Sequence, residues 1–346
     1  MATHFEAEIR EQPEVLARLL RDGRAAAEAA AQEILRFSPE WVMIAARGSS
    51  DNAARYAQYL FGAHNRLGVG LAVPSLFTLY GAPPRLSRAL TIGISQSGQS
   101  PDVVSVLQEA RAQGALTLAL SNELESPLAR AARCRLPLLA GPERAVAATK
   151  TYTAQLFALA MLSAALESSA ERWAELAQVP EWLAAVLARN TDLTEAVSAF
   201  RDARRLLVLG RGFNYATAFE LALKLKETSY VLAEPYSVAD LLHGPVALID
   251  SGFPVILIAP SGRSLVDVAD LLSLLEARGA RVLALSNAKE VLARVALQLE
   301  LPAGVPEWLS PIVSIVPGQL FAGALAVQAG HDPDRPRGLA KVTLTR

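Results

Sequence analysis

The stretch ARGSSDNAARYAQYLF occupies residues 46–61, and a related stretch, GRGFNYATAFELALKL, occupies residues 210–225. The Arg-Gly pair of the first stretch recurs in the second at an offset of 164 residues. Within one residue, this offset also relates three further pairs of segments: 97–100 with 261–264, 118–122 with 283–287, and 155–157 with 319–321. Four matches in register predict an internal repeat, which makes the two halves of the chain alike in architecture.

Both halves alternate short apolar runs with helical stretches. Such near-continuous hydrophobicity is typical of strands that helices cover on both faces of a parallel sheet. The sequence therefore predicts an α/β protein with two tandem doubly wound parallel sheets. The predicted strands are 41–46, 69–73, 90–94, 116–120 and 134–139 in the first half, and 206–209, 255–259, 282–285 and 297–301 in the second. The predicted domains are an N-terminal helical arm (1–37), a first sheet domain (38–170), a helical linker (171–200), a second sheet domain (201–330) and a C-terminal tail (331–346).

The composition limits the classes of function. The chain has 346 residues, of which 52% are hydrophobic and 19% charged, as in a compact globular protein. A formal net charge of −1 gives no overall attraction for nucleic acid or an anionic membrane. The single cysteine, Cys134, excludes a disulfide framework and a multi-cysteine metal site. The N-terminus lacks a secretory signal pattern, and the apolar run 308–330 contains prolines without basic flanks, so we expect a buried helix and a cytoplasmic protein.

A serine-rich segment, GISQSGQS (93–100), lies where a predicted strand passes into a predicted helix. Ligands of open α/β sheets bind at such strand ends, and the unpaired amides of a helix start bind anions. Hydroxyl and amide side chains add donors, so Ser95, Gln96, Ser97 and Ser100 form a candidate phosphate site, which we call the serine loop (95–100). The simpler alternative is that one serine caps the helix and the others are loop residues.

The second copy of the repeat favours the phosphate interpretation. It keeps Ser261, Gly262 and Ser264, which the shared turn requires, but it has Ala259 and Pro260 where the first copy has serine and glutamine. The turn therefore does not account for the extra donors of the first copy. A second corner of the same predicted sheet edge, at residues 48–50, would contact the sugar or cap a helix.

Charged residues follow one face of the predicted helix 214–230. Glu220, Lys224 and Glu227 are spaced at i, i+4 and i+7. As structure this is a salt-bridged surface stripe, and as chemistry it is a carboxylate base beside a lysine. His243, which precedes a Gly-Pro turn, would titrate near neutral pH and shuttle a proton, or would be a structural histidine. Lys341 has apolar sequence neighbours, a setting that would favour a neutral amine nucleophile over an ordinary solvated lysine.

Together these segments resemble the isomerase half of glutamine:fructose-6-phosphate amidotransferase, a tandem pair of SIS (sugar isomerase) domains. The resemblance covers nearly the whole chain and rests on motifs that occur in the same order. The motifs are Glu8-Ile9, Glu11-Gln12-Pro13, Ser95-Gln96-Ser97-Gly98, Ala147-Ala148-Thr149-Lys150, Leu223-Lys224-Leu225-Lys226-Glu227, His243-Gly244-Pro245, Pro336-Arg337 and Leu339-Ala340-Lys341.

The resemblance implies roles for individual residues. Glu227 would move the proton between C1 and C2, and Lys224 would assist at the neighbouring hydroxyl. His243, which the partner subunit contributes in that family, would open the sugar ring, and Lys341 would form an imine with the open-chain ketose. The resemblance also implies a homodimer and requires no metal or organic cofactor. The sugar phosphate would contact Ser50, Ser95, Gln96, Ser97, Ser100, Val146 and Ala340.

The sequence departs from the family pattern in three ways. The family carries a glutaminase domain with a cysteine nucleophile after Met1, whereas residue 2 here is Ala2 and the sequence shows no such domain. Asp240 replaces the family's glutamate before the histidine, and Ser100 replaces its threonine. We therefore expect glutamine not to be the nitrogen source.

The expected function is a phosphosugar isomerase or deaminase that converts glucosamine 6-phosphate to fructose 6-phosphate. Deglycation of a fructosamine 6-phosphate is the sibling alternative, and a sugar-phosphate sensor without catalysis is the alternative from another class. Residues 210–212 read only weakly as a dinucleotide fingerprint, because Tyr215 stands at the third glycine position.

Overall fold

The computed structural model describes residues 3–341, which form two compact units. One, the first-repeat unit, comprises Glu11–Glu143, Lys150–Gln178, Ala340 and Lys341. The other, the second-repeat unit, comprises the residues up to Arg10 together with Arg144–Thr149 and Val179–Leu339. The domain boundaries given above stay a prediction.

In the described residues, α1 (His4–Arg10) comes first and belongs to the second-repeat unit. The elements that follow it form the first-repeat unit around a five-stranded parallel sheet. The strand order of this sheet is β2-β1-β3-β4-β5, the flavodoxin-like arrangement. Every residue of its central strand is buried, as expected for a sheet covered on both faces. The elements are α2 (Gln12–Phe37), β1 (Trp41–Ala45), α3 (Ser49–Asn65), β2 (Val69–Leu71), α4 (Ser75–Thr78), β3 (Ala89–Ile94), α5 (Pro101–Ala112), β4 (Leu116–Ser121), α6 (Pro127–Ala131), β5 (Cys134–Pro137), α7 (Lys150–Glu167) and α8 (Ala170–Arg189), in which the division between the units falls.

The second-repeat unit also contains a five-stranded parallel sheet, in the order β10-β9-β8-β6-β7. Numbered within its own half, this order is the same as that of the first sheet, so the internal repeat and the predicted fold class are confirmed. The elements are α9 (Thr194–Phe200), β6 (Arg205–Gly210), α10 (Tyr215–Lys224), β7 (Leu232–Ser237), α11 (Val238–Leu242), β8 (Pro254–Ile258), α12 (Val268–Ala277), β9 (Arg281–Ser286), α13 (Lys289–Leu292), β10 (Leu297–Glu300) and α14 (Ser310–Gln328), with short 3₁₀ turns at Gly212–Asn214, Pro245–Leu248 and Arg263–Leu265.

The second sheet has one strand more than the sequence predicted. β7 contains Glu234 and Pro235, which made it unlike the other, apolar strands. Proline is tolerated there because β7 is an edge strand that pairs only with β6. The signal that would have found it is the repeat itself, because β2 occupies the matching position in the first half.

Two helices of the second-repeat unit, α14 and α10, lie where the sequence predicted helices. The prediction of a buried helix at 308–330 is confirmed by α14, which is long and apolar enough to cross a membrane but has 89% of its most apolar window buried inside the protein. The single helix predicted at 214–230 is wrong in detail. It consists of a 3₁₀ turn, α10 and a π-helical turn at Leu225–Ser229, after which Tyr230 is left-handed with φ 55°.

Candidate active site

The serine loop continues directly from β3 and folds back on itself. The Ser95 amide donates a hydrogen bond of 3.1 Å to the Leu120 carbonyl, which extends the pairing with β4. The Ser95 hydroxyl accepts from the Gly98 amide at 3.1 Å, and the Ser97 hydroxyl accepts from the Gln99 amide at 3.3 Å. Ser95 is buried, whereas Gln96, Ser97 and Ser100 are half-buried. The loop therefore presents polar side chains at the carboxyl end of the sheet.

Only glycine fits at position 98 of this loop. Its backbone is left-handed, with φ +62°, and a Cβ there would overlap the Ser126 side chain. Ser126 in turn caps α6 by accepting from the Ala129 amide at 3.3 Å. The close approach of these two segments fixes the course of the serine loop.

The side chains of Ser100 and Ser50 do not cap helices. Ser100 is the N-cap residue of α5 by position, but its side chain makes no capping hydrogen bond. Capping therefore does not account for the Ser100 hydroxyl. At the neighbouring corner, the Ser50 hydroxyl accepts from the Gln155 amide nitrogen at 3.0 Å, and it caps no helix either, since Gly48 is the N-cap of α3.

The matching corner of the second-repeat unit holds a carboxylate of the protein itself. Glu307 accepts hydrogen bonds of 2.9 Å from the amides of both Arg263 and Ser264. A Cβ on Gly262 would come within 2.5 Å of the Glu307 carboxyl carbon, so glycine is needed for this approach. The equivalent amides of the serine loop belong to Gln99 and Ser100, and no carboxylate of residues 3–341 accepts from them.

A cation that the sequence reasoning missed lies beside the serine loop. Strand β1 pairs with β3, with Ala45 opposite Gly93, so the residues that follow the two strands are neighbours. Arg47 is half-exposed, and its Nε donates at 2.7 Å to the buried carboxylate of Asp102 in the first turn of α5. Burial raises the pKa of the nearby Asp51 above its ordinary value, although Arg55 and Arg47 act in the opposite direction.

The charged residues of α10 and the π-helical turn form a buried trio. Glu220 and Lys224 are fully buried, and the Glu227 side chain is 22% exposed. The Lys224 Nζ lies 3.4 Å from a Glu220 oxygen and 2.5 Å from a Glu227 oxygen. The interpretation as a surface stripe is therefore wrong. The trio therefore offers one partly exposed carboxylate, that of Glu227, held by a buried lysine.

His243 lies on a different element of the same unit. It follows α11 as its C-cap residue and is exposed. Its ring makes no hydrogen bond to another residue of the described chain. Asp240, one turn earlier, accepts from the Ser237 hydroxyl at 2.7 Å, and its amide donates to the same hydroxyl. Asp240 therefore has a structural partner, whereas the His243 ring is accessible.

Lys341 belongs to the first-repeat unit and does not have the apolar setting that its sequence neighbours suggested. Its Nζ lies 2.6 Å from a carboxylate oxygen of Glu143, whose side chain is fully buried. Ala340 beside it is exposed. Val146 is half-buried in the second-repeat unit, where its amide donates at 3.2 Å to the Asp334 carbonyl. Glu143 is a candidate that the sequence reasoning missed.

Comparison with known proteins identifies the family. The SIS domain model matches residues 38–165 and 199–329, which include both sheets. A glutamine–fructose-6-phosphate aminotransferase (isomerizing) of Thermococcus kodakarensis is 38% identical over 346 residues, covering 96% of this chain and 56% of the relative. The chain thus spans little more than half the length of that relative.

Two solved structures are similar along nearly their whole length. One, a provisionally assigned phosphosugar isomerase from Silicibacter pomeroyi, is 35% identical with a TM-score of 0.87, covering 96% of this chain and 100% of its own. The other, the C-terminal domain of the glucosamine-fructose-6-phosphate aminotransferase of Francisella tularensis, is 29% identical with a TM-score of 0.88, covering 97% and 99%. With two matched segments and these relatives, the chain belongs to the SIS domain family and resembles the isomerase half of glutamine–fructose-6-phosphate aminotransferases.

Proposed function

We propose that the chain is an enzyme that transfers a proton between C1 and C2 of a hexosamine or ketohexose 6-phosphate. The favoured reaction converts glucosamine 6-phosphate to fructose 6-phosphate and ammonia. The observation that carries the proposal is the buried trio of Glu220, Lys224 and Glu227 in a member of the SIS family. The names of the relatives, a phosphosugar isomerase and isomerizing aminotransferases, support the substrate class.

Glu227 is the proposed base. It is the one member of the trio with an exposed part, so a substrate carbon can reach it, while Lys224 at 2.5 Å holds its carboxylate in place. The base takes the proton from C2 of the open-chain aldose and returns it to C1. Lys224 carries the positive charge that stabilises the negative oxygen formed between these steps, and Glu220 fixes Lys224 from the other side.

The serine loop is the proposed phosphate site, together with Ser50, Val146 and Ala340. Support comes from the second copy of the repeat, in which the equivalent amides bind the Glu307 carboxylate at 2.9 Å. Anion binding at this corner in one copy of the repeat supports anion binding at the matching corner of the other. The hydroxyls of Ser97 and Ser100 and the Gln96 amide add the donors that a phosphate, with its three terminal oxygens, requires.

Lys341 is the proposed amine nucleophile. After proton transfer the C2 amine of the substrate has become a C2 imine. Attack by the Lys341 amine on C2 expels ammonia and leaves an imine between the lysine and the sugar, and water then releases fructose 6-phosphate. His243, which is exposed and accessible, is the proposed acid and base for ring opening, contributed by the second subunit of a homodimer.

Incubation of the purified chain with glucosamine 6-phosphate tests this function. We expect fructose 6-phosphate and ammonia in equal amounts, without any requirement for glutamine. Glu227→Gln should reduce turnover by about 10²-fold or more, since it removes the general base. Lys226→Gln, at the exposed neighbouring position of the same turn, is the matched control and should retain activity.

The same assay distinguishes the alternatives. Turnover of a fructosamine 6-phosphate, with none of glucosamine 6-phosphate, would move the assignment to a deglycase. Binding of both compounds with only slow hydrogen exchange at C2 in deuterated water, unchanged by Glu227→Gln, would contradict an enzymatic role and favour a sensor.

A further inference from the structure

Glu143 makes a set of contacts that no local sequence pattern predicts. It lies between β5 and α7, and its side chain is fully buried. One carboxylate oxygen accepts from the Thr151 amide at 3.0 Å. The other accepts from the Thr151 hydroxyl at 2.7 Å and lies 2.6 Å from the Lys341 Nζ. A residue beyond β5 in the first-repeat unit is thus joined to the last part of the described chain.

The contacts with Thr151 hold this carboxylate in one position. Thr151 is the second residue of α7, an 18-residue helix whose N-terminal amides carry partial positive charge. Two hydrogen bonds to one threonine leave the carboxylate little freedom to rotate. The Lys341 side chain, by contrast, is 25% exposed, so its nitrogen is accessible from outside while Glu143 is not.

We propose that Glu143 is a positioning residue that serves as the counter-ion of Lys341 throughout the imine cycle, an inference that rests on the proposed function. The charge balance of the reaction supports this role. A protonated lysine and a sugar carbonyl give a protonated imine and one water molecule, so the nitrogen bears one positive charge before and after the step. One fixed carboxylate therefore neutralises both states, and it places the nitrogen without itself touching the sugar.

Reductive trapping tests the proposal. The intact chain is treated with fructose 6-phosphate and borohydride, and the adduct on Lys341 is measured by mass spectrometry. We expect Glu143→Gln, which keeps the size and loses the charge, to reduce the trapped fraction about tenfold or more, the value of one charge-assisted hydrogen bond. Glu143→Asp, which keeps the charge, should recover part of the yield. Thermal unfolding of each variant is recorded in parallel.

The chain offers a matched control. Glu11 lies 2.6 Å from the buried Lys150 in the same unit, so Glu11→Gln removes a carboxylate from an ion pair of equal length. It should leave trapping unchanged. Thr151→Val removes one hydrogen bond from Glu143 without removing its charge, so trapping should fall less than in Glu143→Gln.

The outcomes separate this proposal from the proposed function. Equal trapping in the wild type and Glu143→Gln, or no adduct on Lys341 in a wild type that turns over substrate, would overturn the role of Glu143. Equal losses in Glu143→Asp and Glu143→Gln would also overturn it, because the charge would then be irrelevant. Efficient, Glu143-dependent trapping without turnover of glucosamine 6-phosphate would support Glu143 and reject the deaminase assignment.

Discussion

Replacement of Lys224 by methionine tests whether the buried trio carries the charges that its geometry requires. Lys224 is fully buried, with its nitrogen 3.4 Å from Glu220 and 2.5 Å from Glu227. Because Glu220 is also fully buried, the variant leaves a carboxylate in the interior without the lysine that neutralises it. Removal of one partner from a buried ion pair costs about 3–5 kcal/mol, so we expect the free energy of unfolding of Lys224→Met to fall by about this amount.

A second change separates charge from packing. Glu220→Gln alone leaves Lys224 paired with Glu227 and should lower the free energy of unfolding by about 1.5–3 kcal/mol, the value of a hydrogen bond to a charged group. In the double variant K224M/E220Q neither of the fully buried positions carries a charge. We therefore expect the double variant to be more stable than Lys224→Met by about 2 kcal/mol, although it contains one substitution more.

Urea denaturation measures these differences. Far-UV circular dichroism and the fluorescence of the four tryptophans are both needed, because two compact units can unfold in separate steps. A loss of less than about 1 kcal/mol in Lys224→Met, against the 3–5 kcal/mol of a broken buried pair, would refute the reasoning. Strictly additive effects in the double variant would refute it as well, since they would show that Lys224 and Glu220 do not interact.

Two further predictions concern the first-repeat unit. Gly98→Ala should lower the free energy of unfolding by about 1–2 kcal/mol because of its left-handed backbone and by more because of overlap with Ser126, and it should raise the KM for the sugar phosphate. The control Gly114→Ala, with φ +84° and no atom within 4 Å of the added Cβ, should lose only the backbone contribution and keep its KM. Urea denaturation and steady-state kinetics measure the two effects. Burial, and then the nearby Arg172, lowers the pKa of His64 below its ordinary value, while Glu167 acts in the opposite direction. The unfolded chain therefore binds a proton that the folded chain does not, and the stability of the protein should fall as the pH falls from about 7 to about 5. His64→Gln should weaken that decline in denaturation experiments at the two pH values, and an equal decline in wild type and variant would contradict this account.

The sequence predicted the fold well because both sheets are built from runs buried on two faces. Strand β3, for example, is buried along its whole length, and such a run is visible without any tertiary information. Strand β7 was not predicted because Glu234 and Pro235 make it unlike the apolar strands. Both residues are compatible with an edge strand, but the sequence of a strand does not show whether it lies at the edge of its sheet. Strand β2, which lies at the matching offset in the first half, would have indicated a strand at β7.

The candidate site was less predictable because it depends on contacts between distant residues. Spacing predicted that Glu220, Lys224 and Glu227 share a face, but their burial depends on what packs against that face. Lys341 seemed apolar from its sequence neighbours, whereas its partner Glu143 is 198 residues away. No local pattern indicates such a pair. The catalytic and binding roles of the site residues stay predictions.

The carboxylate of Glu307 has a consequence for stoichiometry. A duplicated fold would present two equivalent receptors for a phosphorylated compound, and a titration would then end at two equivalents per chain. In this chain the corner of the second-repeat unit already holds the Glu307 carboxylate through two amides. We therefore expect a titration of the chain with a sugar phosphate to saturate at one equivalent. The two hydrogen bonds at the second corner would instead hold the segment around Glu307 in place.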